Sequence, residues 1–434
     1  MAGKTPSHRL VIVGGGVAGL EIASTLARQR RWRGALDVIL VDSDAAHVWK
    51  PMLHTIAAGT SDISQQQTAF LAQARQAGFT FQPGALQGLN RTTREIQLAP
   101  VHAPDGRLLI PARELSYDTL VIAIGSEAND FGTPGAAEYC YRIDSRQQAD
   151  AFHDEVRLRL LQCLSQQSRL RIGIVGGGAT GVELAAELVQ LVESSVGYGA
   201  HGLREHVTIT LLESGPRLLA AFPEDISAAT RARLEALGIR VLTEAFVGAV
   251  DAEGFVLKSG ERIPVSLPVW AAGVKAPDFL TRLDGLATSP NNQLVVLPSL
   301  QTTLDARIYA VGDCASLTLP GMQRPLGPTA QVAHQQAQHL IRYLPGAMLQ
   351  GRPIPDFKYR NFGSIVSLGE YDAFASLGQF GFLEGTTIQG RLAQLSHVML
   401  YRSHQARLHG FWRGSLLWLV DYINQRLRGS IRLD

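Results

Sequence analysis

Two glycine-rich segments of the pattern GxGxxG constrain what this chain can fold into more than any other feature. Each has three glycines at the same spacing: Gly14, Gly16 and Gly19 in the first, and Gly176, Gly178 and Gly181 in the second. Each follows a short apolar run, residues 10–13 or 172–175, and leads into a run with helical periodicity. The next apolar run ends on an acid, Asp42 in the first case and Glu213 in the second. This order predicts two strand–turn–helix–strand units.

The residue types at these turns match the chemistry of a bound dinucleotide. A pyrophosphate is best met by backbone N–H groups at a helix N-terminus, and side chains at the turn would block its approach. An acid at the end of the next strand then accepts hydrogen bonds from the ribose hydroxyls. Glycine-rich turns also occur for packing reasons, but the complete unit favours nucleotide binding. One such site is common, and two in one chain indicate a flavoprotein.

Length and composition are typical of a large enzyme. The chain has 434 residues, enough for two or three domains, and its formal charge of +2 is too small to indicate a nucleic-acid partner. Its cysteines, Cys140, Cys163 and Cys314, lie far apart without a CxxC pattern, so we expect no disulfide framework and no metal site. We see no secretory signal, and the apolar runs are far shorter than the roughly 18 residues that span a bilayer. We therefore expect a cytoplasmic protein whose membrane association, if any, is peripheral.

The chain contains an internal duplication, because each glycine-rich unit is followed by a further apolar strand that ends in glycine. These strands are predicted at residues 119–124, before Gly125, and at residues 268–272, before Gly273. Three short alternating segments are predicted as antiparallel strands, at residues 79–82, 95–98 and 255–258. A third landmark is a strand at residues 308–313 that ends in Gly-Asp. After it, residues 328–343 predict a helix with Pro328 in its first turn.

Four segments carry a resemblance to a known family: residues 47–54 (HVWKPMLH) with the following 57–59 (AAG), 176–184 (GGGATGVEL), 270–273 (WAAG) and 330–335 (AQVAHQ). Over nearly the whole chain the sequence resembles the type II NADH dehydrogenases, single-subunit NADH:quinone oxidoreductases of the two-dinucleotide-binding-domain flavoproteins. The resemblance implies an α/β fold with two Rossmann-like domains, an NADH domain inserted in an FAD domain, and a C-terminal amphipathic membrane-associating region. The implied limits are 1–145 and 286–345 for the FAD domain, 146–285 for the NADH domain and 346–434 for the C-terminal region.

The resemblance also implies which residues hold the nucleotides, with FAD bound tightly and non-covalently and NADH as the substrate. The expected FAD residues are Gly14, Gly16, Gly19, Asp42, Lys50, Ala85, Gly125, Asp313, Ala330, Gln331 and Arg391. The expected NADH residues are Gly176, Gly178, Gly181, Glu183, Glu213 and Gly273. The expected catalytic residues are Glu183, Gln331 and His334. The family transfers a hydride from NADH to FAD and then two electrons to a membrane quinone, ubiquinone or menaquinone, without pumping protons.

Several of these residues also have an ordinary structural explanation. Gln331 and His334 are three residues apart on a predicted helix and could form a simple polar face. Lys50 could be a surface cation, and Asp313 could be a turn residue at the end of a strand. Glu183 could serve only as a first-turn carboxylate that stabilises the helix dipole.

Residues that are present or missing in this chain help to distinguish its function from other activities of the superfamily. Residues 48–59 lack the CxxxxC pair, which excludes the dithiol chemistry of the disulfide reductases. A sulfide:quinone oxidoreductase, a soluble NADH-dependent flavoprotein reductase and a redox-sensing protein that holds FAD and NADH without rapid turnover are the alternatives. The intact second glycine segment counts against the first of these. Glu213 would repel a 2′-phosphate and predicts NADH over NADPH, while Arg217 leaves the degree of preference open.

The C-terminal segment predicts a membrane-surface helix. Residues 391–434 contain seven arginines, two aspartates and no lysine or glutamate. Apolar residues recur at helical spacing, namely Leu416, Leu419, Val420, Ile423 and Leu427, with Trp412 and Trp418 alongside and Arg413, Arg426 and Arg428 flanking them. We expect binding to an anionic membrane surface on the cytoplasmic face of the inner membrane. A helix that forms a homodimer or docks on the core is the alternative.

Overall fold

The computed structural model describes residues 7–61, 67–197, 199–378 and 387–427. The chain divides into two compact units. The first unit comprises Met1–Trp49, Gln67–Glu127 and Val274–Tyr359, and the second comprises Lys50–Gln66, Ala128–Gly273 and Arg360–Asp434. The helices of the described residues, numbered in chain order, are α1 (Val17–Arg28), α2 (Leu53–Ala57), α3 (Phe70–Ala77), α4 (Ala136–Tyr139), α5 (Arg146–Gln166), α6 (Ala179–Gly197), α7 (Leu203–His206), α8 (Glu224–Ala236), α9 (Ala330–Gln350), α10 (Arg391–His409) and α11 (Phe411–Leu427).

The first unit is built on a five-stranded parallel sheet. In spatial order its strands are Ile308–Ala310, Thr119–Ile122, His8–Val13, Leu36–Asp42 and Thr80–Pro83. The Thr119–Ile122 strand and the end of the His8–Val13 strand are buried throughout, as expected for a parallel sheet covered on both faces. Helix α1 packs against α9. The smaller strands of this unit are Leu86–Asn90, Glu95–Leu98 and Arg113–Ser116 in one sheet, and the pairs Ala46–Val48 with Gln67–Ala69, Val101–His102 with Leu108–Ile110, and Leu294–Val295 with Ala315–Ser316.

The second unit repeats this plan. Its parallel sheet has the strand order Arg240–Leu242, Val207–Leu212, Leu170–Val175 and Leu267–Trp270. An antiparallel sheet follows in each unit, here formed by Val247–Asp251, Gly254–Leu257 and Arg262–Pro264. A second antiparallel sheet, formed by Gly363–Leu368, Asp372–Leu377 and Thr387–Gln389, precedes α10 and α11. The short strands Glu127–Ala128 and Val274–Lys275 occur where the chain passes between the units.

The architecture confirms the predicted α/β class with two Rossmann-like units. The antiparallel assignment of residues 95–98 and 255–258 is also confirmed. The same assignment is wrong for residues 79–82, because the strand Thr80–Pro83 pairs in parallel with Leu36–Asp42. Helix α3 lies between these two strands and makes the crossover connection that a parallel pair requires. The predicted domain limits and the amphipathic character of the C-terminal region stay predictions.

The helix predicted at residues 328–343 begins at Ala330, so Pro328 is not in its first turn. Thr329 is the N-cap, and its side chain accepts a hydrogen bond from the Val332 backbone N–H at 3.2 Å. The helix continues beyond the predicted end to Gln350, through Pro345. Within the described residues, none of the helices combines the length and the apolar character that crossing a bilayer requires.

Candidate functional site

The three glycines of the first segment have two different structural reasons. A Cβ atom on Gly14 would lie 2.3 Å from the carbonyl oxygen of Ala123, and the φ of Gly14 is +101°. A Cβ atom on Gly19 would lie 1.8 Å from the carbonyl oxygen of Gly14. Gly16 has no such neighbour, since the nearest atom to its Cβ position is 3.9 Å away. The outer glycines are required by packing, and the middle one borders open space at the N-terminus of α1.

The second segment has the same arrangement. A Cβ atom on Gly176 would lie 2.7 Å from the backbone of Ala271, and one on Gly181 would lie 2.0 Å from the carbonyl oxygen of Gly176. No atom lies within 4 Å of the Cβ position of Gly178. The open side of each turn is the place where a pyrophosphate would approach backbone N–H groups, so the residues of both turns fit a dinucleotide. We call these turns the first and second cradles.

The predicted ribose-binding acids are held beside the cradles by equivalent hydrogen bonds. Oδ2 of Asp42 accepts a hydrogen bond from the Gly15 N–H at 2.5 Å, and Oε2 of Glu213 accepts one from the Gly177 N–H at 2.7 Å. The second carboxylate oxygen of each acid accepts from a backbone N–H two residues further along the chain. Burial raises the pKa of Asp42 above its ordinary value, against the hydrogen bonds that lower it. The two acids therefore have fixed carboxylates at matching positions.

Arg217 is engaged by the backbone of its own loop. Its Nη1 donates to the carbonyl oxygen of Phe222 at 2.9 Å, and its Nη2 donates to that of Ala220 at 2.9 Å. A guanidinium held by these carbonyls stabilises the loop after Glu213. These hydrogen bonds explain why an arginine lies near the proposed ribose position without requiring that it bind a 2′-phosphate.

The Gly-Asp landmark lies at the carboxyl edge of the first unit's sheet. Asp313 is in a short 3₁₀ turn, and its Oδ2 accepts a hydrogen bond from the Ser126 hydroxyl at 2.8 Å. Gln293 donates to the Asp313 carbonyl oxygen at 2.9 Å. Gln336 of α9 accepts a hydrogen bond from the Gly312 N–H at 2.7 Å and is almost fully buried. Gly125, after the neighbouring strand, has a φ of +75°.

The N-terminal part of α9 holds three of the predicted residues. Ala330 is the first residue of the helix, and Oε1 of Gln331 accepts a hydrogen bond from the Tyr359 hydroxyl at 3.1 Å. Nδ1 of His334 lies 2.7 Å from Oε2 of Glu21, a buried acid of α1. Gln338, one turn further along α9, donates to the other carboxylate oxygen of Glu21 at 2.5 Å. The side chain of His334 is therefore oriented by Glu21 of α1.

Glu183 is buried in the second unit. It is in the second turn of α6, so the explanation as a first-turn, dipole-stabilising carboxylate is wrong. Its side chain is 9% exposed, and its Oε1 accepts a hydrogen bond from the Ser367 N–H at 3.0 Å. Nδ1 of His54 lies 3.4 Å from its Oε2. Burial raises the pKa of Glu183 to about 8, aided by the negative charge of Glu187 and opposed by the Ser367 hydrogen bond.

The remaining predicted residues are distributed over both units. Lys50 and Arg391 are exposed and belong to the second unit, where each begins a helical segment. Ala85 is exposed in the first unit and accepts a hydrogen bond from the Ala99 N–H through its carbonyl oxygen. Gly273 has a φ of +64°, and a Cβ atom on it would lie 2.4 Å from the Phe131 ring.

Some polar residues around these sites are not apparent from the sequence alone. Glu21, Gln293 and Gln336 have no motif of their own, and each is recognised only because the fold buries it against a predicted residue. A glutamate inside the apolar run of α1 is the one sequence signal that could have indicated Glu21.

Two cradles, each with its acid, followed by a Gly-Asp strand define a two-dinucleotide-binding flavoprotein. Residues 8–337 match the family model described as pyridine nucleotide-disulphide oxidoreductase. The chain is 39% identical to the type II NADH:quinone oxidoreductase of Haemophilus influenzae over 98% of this chain and 99% of that protein. It is 27% identical to the enzyme of that name, Ndh, from Mycobacterium tuberculosis, over 98% and 90% of the two chains. The chain belongs to the type II NADH:quinone oxidoreductases.

Solved structures agree on the fold. NDH2 from Plasmodium falciparum in complex with NADH superposes with a TM-score of 0.83 at 20% identity, over 99% of this chain and all of that chain. The sulfide:quinone oxidoreductase of Aquifex aeolicus gives a TM-score of 0.71 at 16% identity, over 97% and 95% of the two chains. At these identities the similarity concerns the fold alone.

Proposed function

We propose that the two cradles bind FAD and NADH and that the chain acts as an NADH:quinone oxidoreductase that does not pump protons. As a member of its family the chain catalyses NADH + H⁺ + quinone → NAD⁺ + quinol. When bound, FAD accepts the hydride of NADH and returns two electrons to the quinone, so that the protein supplies position and electrostatics. The observation that carries this proposal is the duplicated cradle, with its matching open glycine and its matching fixed acid.

The first cradle is proposed to hold FAD. Gly16 and the free N–H groups of α1 would meet the pyrophosphate, and Asp42 would accept the ribose hydroxyls. Asp313, oriented by Ser126, would accept from the ribityl chain. The N-terminus of α9 at Ala330 would stabilise negative charge on the reduced ring. Lys50, Ala85, Gly125, Gln331 and Arg391 complete the proposed set.

The second cradle is proposed to hold NADH through Gly178 and Glu213. A carboxylate at the ribose position accepts from a free 2′-hydroxyl and repels a 2′-phosphate. Since Arg217 is engaged by loop carbonyls, it does not compensate that repulsion. We expect kcat/KM for NADH to exceed that for NADPH by roughly 100-fold or more, in line with the loss of one charge-assisted contact and the gain of a repulsion. Steady-state kinetics with both nucleotides checks this, and equal efficiency would overturn it.

Glu183, Gln331 and His334 are proposed to serve the catalytic centre. Buried Glu183, with its raised pKa, can hold a proton at neutral pH and release it to a reacting oxygen. Gln331 offers an amide for hydrogen bonding, and His334 is oriented by Glu21. Gly273 follows the strand Leu267–Trp270, and its backbone is proposed to border the nicotinamide.

The C-terminal helices are proposed to bind the membrane that contains the quinone. Trp412, Leu416, Leu419, Val420 and Ile423 are all exposed, and they fall on one side of α11. Helix α10 also exposes apolar residues, namely Leu392, Leu395, Val398, Met399 and Leu400. Exposed apolar side chains with nearby arginines are typical of helices that lie in the membrane interface. The proposed location is the cytoplasmic face of the inner membrane. The predicted contributions of Arg426, Leu427 and Arg428 fall on side chains outside the described part of the structure.

The function is tested by the absorbance spectrum of the purified protein and by its turnover. We expect a flavin spectrum that NADH bleaches anaerobically, and reoxidation on addition of ubiquinone-1 or menadione. A protein without flavin that cannot be reconstituted with FAD would overturn the proposal. Slow bleaching would favour the redox-sensing alternative, and rapid bleaching with no reoxidation by quinone would favour a soluble reductase.

Sulfide oxidation is the second candidate because of the fold similarity to a sulfide:quinone oxidoreductase. Sulfur transfer needs a reactive thiolate. Burial raises the pKa of Cys140 to about 12 and that of Cys314 to about 11, so both thiols are protonated and weakly nucleophilic at neutral pH. The third thiol, Cys163, is buried, with the Ser168 hydroxyl as its hydrogen-bond partner. We therefore expect no quinone reduction with sulfide as the donor.

A further inference from the structure

A second buried glutamate lies one turn after Glu183 on α6. Glu187 follows at the i+4 position, so the two Cβ atoms are about 5–6 Å apart on one face of the helix. Glu187 is 6% exposed. Among the described residues, the ion-pair partner of Glu183 is His54, and no lysine or arginine pairs with either carboxylate. A buried acid without a cation is costly to keep, and the proposed function uses only Glu183.

The surroundings of Glu187 give one of its oxygens a route outward. The hydroxyl of Thr60 donates a hydrogen bond to Oε2 of Glu187, and Thr60 is half-buried. The other oxygen, Oε1, packs against Gly369, where a Cβ atom would lie 3.4 Å from it. The Thr60 hydroxyl can both accept and donate a hydrogen bond, as a group that passes protons between solvent and a buried acid must.

The same face of α6 continues toward solvent. Gln190 accepts a hydrogen bond from the Glu370 N–H at 3.1 Å, and exposed Glu193 accepts one from the Tyr371 hydroxyl. The titratable groups that face this row from neighbouring elements are His54 of α2, Glu370 and Tyr371 after the strand Gly363–Leu368, Arg204 of α7, and Arg233 of α8, which lies beside Tyr371. Polar groups at positions 183, 187, 190 and 193 thus form a row from the buried acid to the surface, which we call the α6 row.

We propose that Glu187 exchanges protons between solvent at Thr60 and Glu183, and so supplies the proton that quinol formation consumes. The inference rests on the proposed function, whose reaction takes up one proton for each NADH. The step moves a proton from water to the Glu187 carboxylate, from there to Glu183, and from Glu183 to a quinol oxygen. Electrons pass only from NADH by way of the flavin to the quinone, and both glutamates return to their starting state.

The electrostatics of the pair suit this exchange. Burial raises the pKa of Glu187 to about 7, with the Thr60 hydrogen bond opposing and the Glu370 charge adding to the rise, and raises that of Glu183 to about 8. Each acid changes its protonation near neutral pH, where a relay must both take and give protons. Because each carboxylate raises the proton affinity of the other through its negative charge, the two acids titrate as a pair.

The test compares the isosteric variant Glu187→Gln with Glu205→Gln, a change at an exposed carboxylate of α7 in the same unit. Stopped-flow absorbance measures flavin bleaching by NADH and, separately, flavin reoxidation by ubiquinone-1. We expect Glu187→Gln to leave bleaching within about two-fold of wild type and to slow reoxidation about 10-fold or more, as for a lost acid–base group. We expect the wild-type reoxidation rate to decline as the pH rises through about 7, where Glu187 loses its proton, and we expect this part of the decline to be absent from Glu187→Gln. Imidazole should restore part of the rate of the variant. Glu187→Asp should restore most of it.

The outcomes separate the relay from the proposed function. If wild-type protein fails to oxidise NADH with quinone, the function itself is wrong. If wild type turns over and Glu187→Gln reoxidises with the wild-type rate and pH profile, the relay is wrong. A variant that loses both half-reactions equally, or is not rescued by imidazole while its thermal stability falls, also overturns the relay, because those results indicate a structural role only.

Discussion

Each cradle uses its three glycines for two different purposes, and this division has consequences for single residues. Gly14 and Gly19, like Gly176 and Gly181, sit where a side chain would overlap backbone atoms. Gly16 and Gly178 border open space and matter only when a phosphate approaches. Stability and nucleotide binding are therefore assigned to different glycines of the same motif.

Alanine substitutions in the second cradle should separate these purposes. Gly178→Ala adds a methyl group with no atom within 4 Å, so we expect the melting temperature to change by less than about 2 °C. The methyl group would block the pyrophosphate, and KM for NADH should rise about 10-fold or more. Gly181→Ala places Cβ 2.0 Å from the Gly176 oxygen and should lower stability by about 1–3 kcal/mol through overpacking.

Thermal melting with and without NADH, together with NADH titration, measures both effects. The matched pair in the first cradle, Gly16→Ala and Gly19→Ala, should repeat the pattern with flavin content as the readout. An equal loss of stability in the two variants of a pair would contradict the division.

The residues of the cradles were predictable because their type and spacing are dictated by the ligand. Glu21, Gln293 and Gln336 were not, since a glutamine or glutamate acquires its role from which strand end or helix it meets after folding. Arg217 shows the same limit, because the sequence places it near Glu213 but only the loop carbonyls reveal its partners.

At the scale of elements, α6 combines a cradle with buried acids. Its N-terminal residues follow Gly178, and one of its faces carries Glu183 and Glu187. Glu183 accepts a hydrogen bond from Ser367 in the strand Gly363–Leu368, and Glu187 lies beside Gly369 in the turn after that strand. Buried carboxylates with raised pKa values bind protons more tightly in the folded state than in the unfolded state. The free energy of unfolding that comes from this tighter proton binding is therefore lost as the pH rises and the two acids ionise.

The upward pKa shift of the two buried glutamates predicts how Glu187→Gln changes stability with pH. The ordinary pKa of glutamate is about 4.3, and both folded values are higher, so each carboxylate destabilises the fold increasingly from about pH 5 to pH 8. Removing one carboxylate should raise the melting temperature by about 2–4 °C at pH 8.5 and change it little at pH 5. Differential scanning fluorimetry across this range measures the effect, with Glu205→Gln as the control. A variant less stable than wild type at pH 8.5 would contradict the assignment.

Element type was easier to predict than pairing. Residues 79–82 read as a short alternating strand, and nothing in that pattern tells a parallel edge strand from an antiparallel one. The deciding feature is α3, whose eight residues before the strand provide the crossover. Similarly, Pro328 fits a first helical turn, but Thr329 offers a better cap and moves the helix start to Ala330.

At the scale of the whole molecule, the chain passes repeatedly between two units that each contain a cradle. A duplicated cradle explains the use of two nucleotides, but a lipid-soluble quinone also requires access to a membrane. Helices α10 and α11 end the described chain with exposed apolar residues that a fully aqueous surface would not favour. Membrane binding is therefore the property by which the whole molecule can be tested.

Truncation after Gly410 removes α11 and the residues that follow it. We expect the shortened protein to leave the pellet in sedimentation with anionic vesicles and to lose more activity with long-chain quinones than with a soluble acceptor.

A triple variant tests the same surface at full length: Leu416, Leu419 and Ile423, all exposed on one side of α11, are changed together to serine. Loss of three apolar anchors should weaken vesicle binding about 10-fold or more. The matched control changes Leu158, Leu161 and Leu164, which are similarly exposed on α5. Equal effects of the two triple variants, or a truncated protein that still sediments with vesicles, would refute the anchor. A helix that forms a homodimer or docks on the core would instead change the mass or the melting temperature and leave vesicle binding intact.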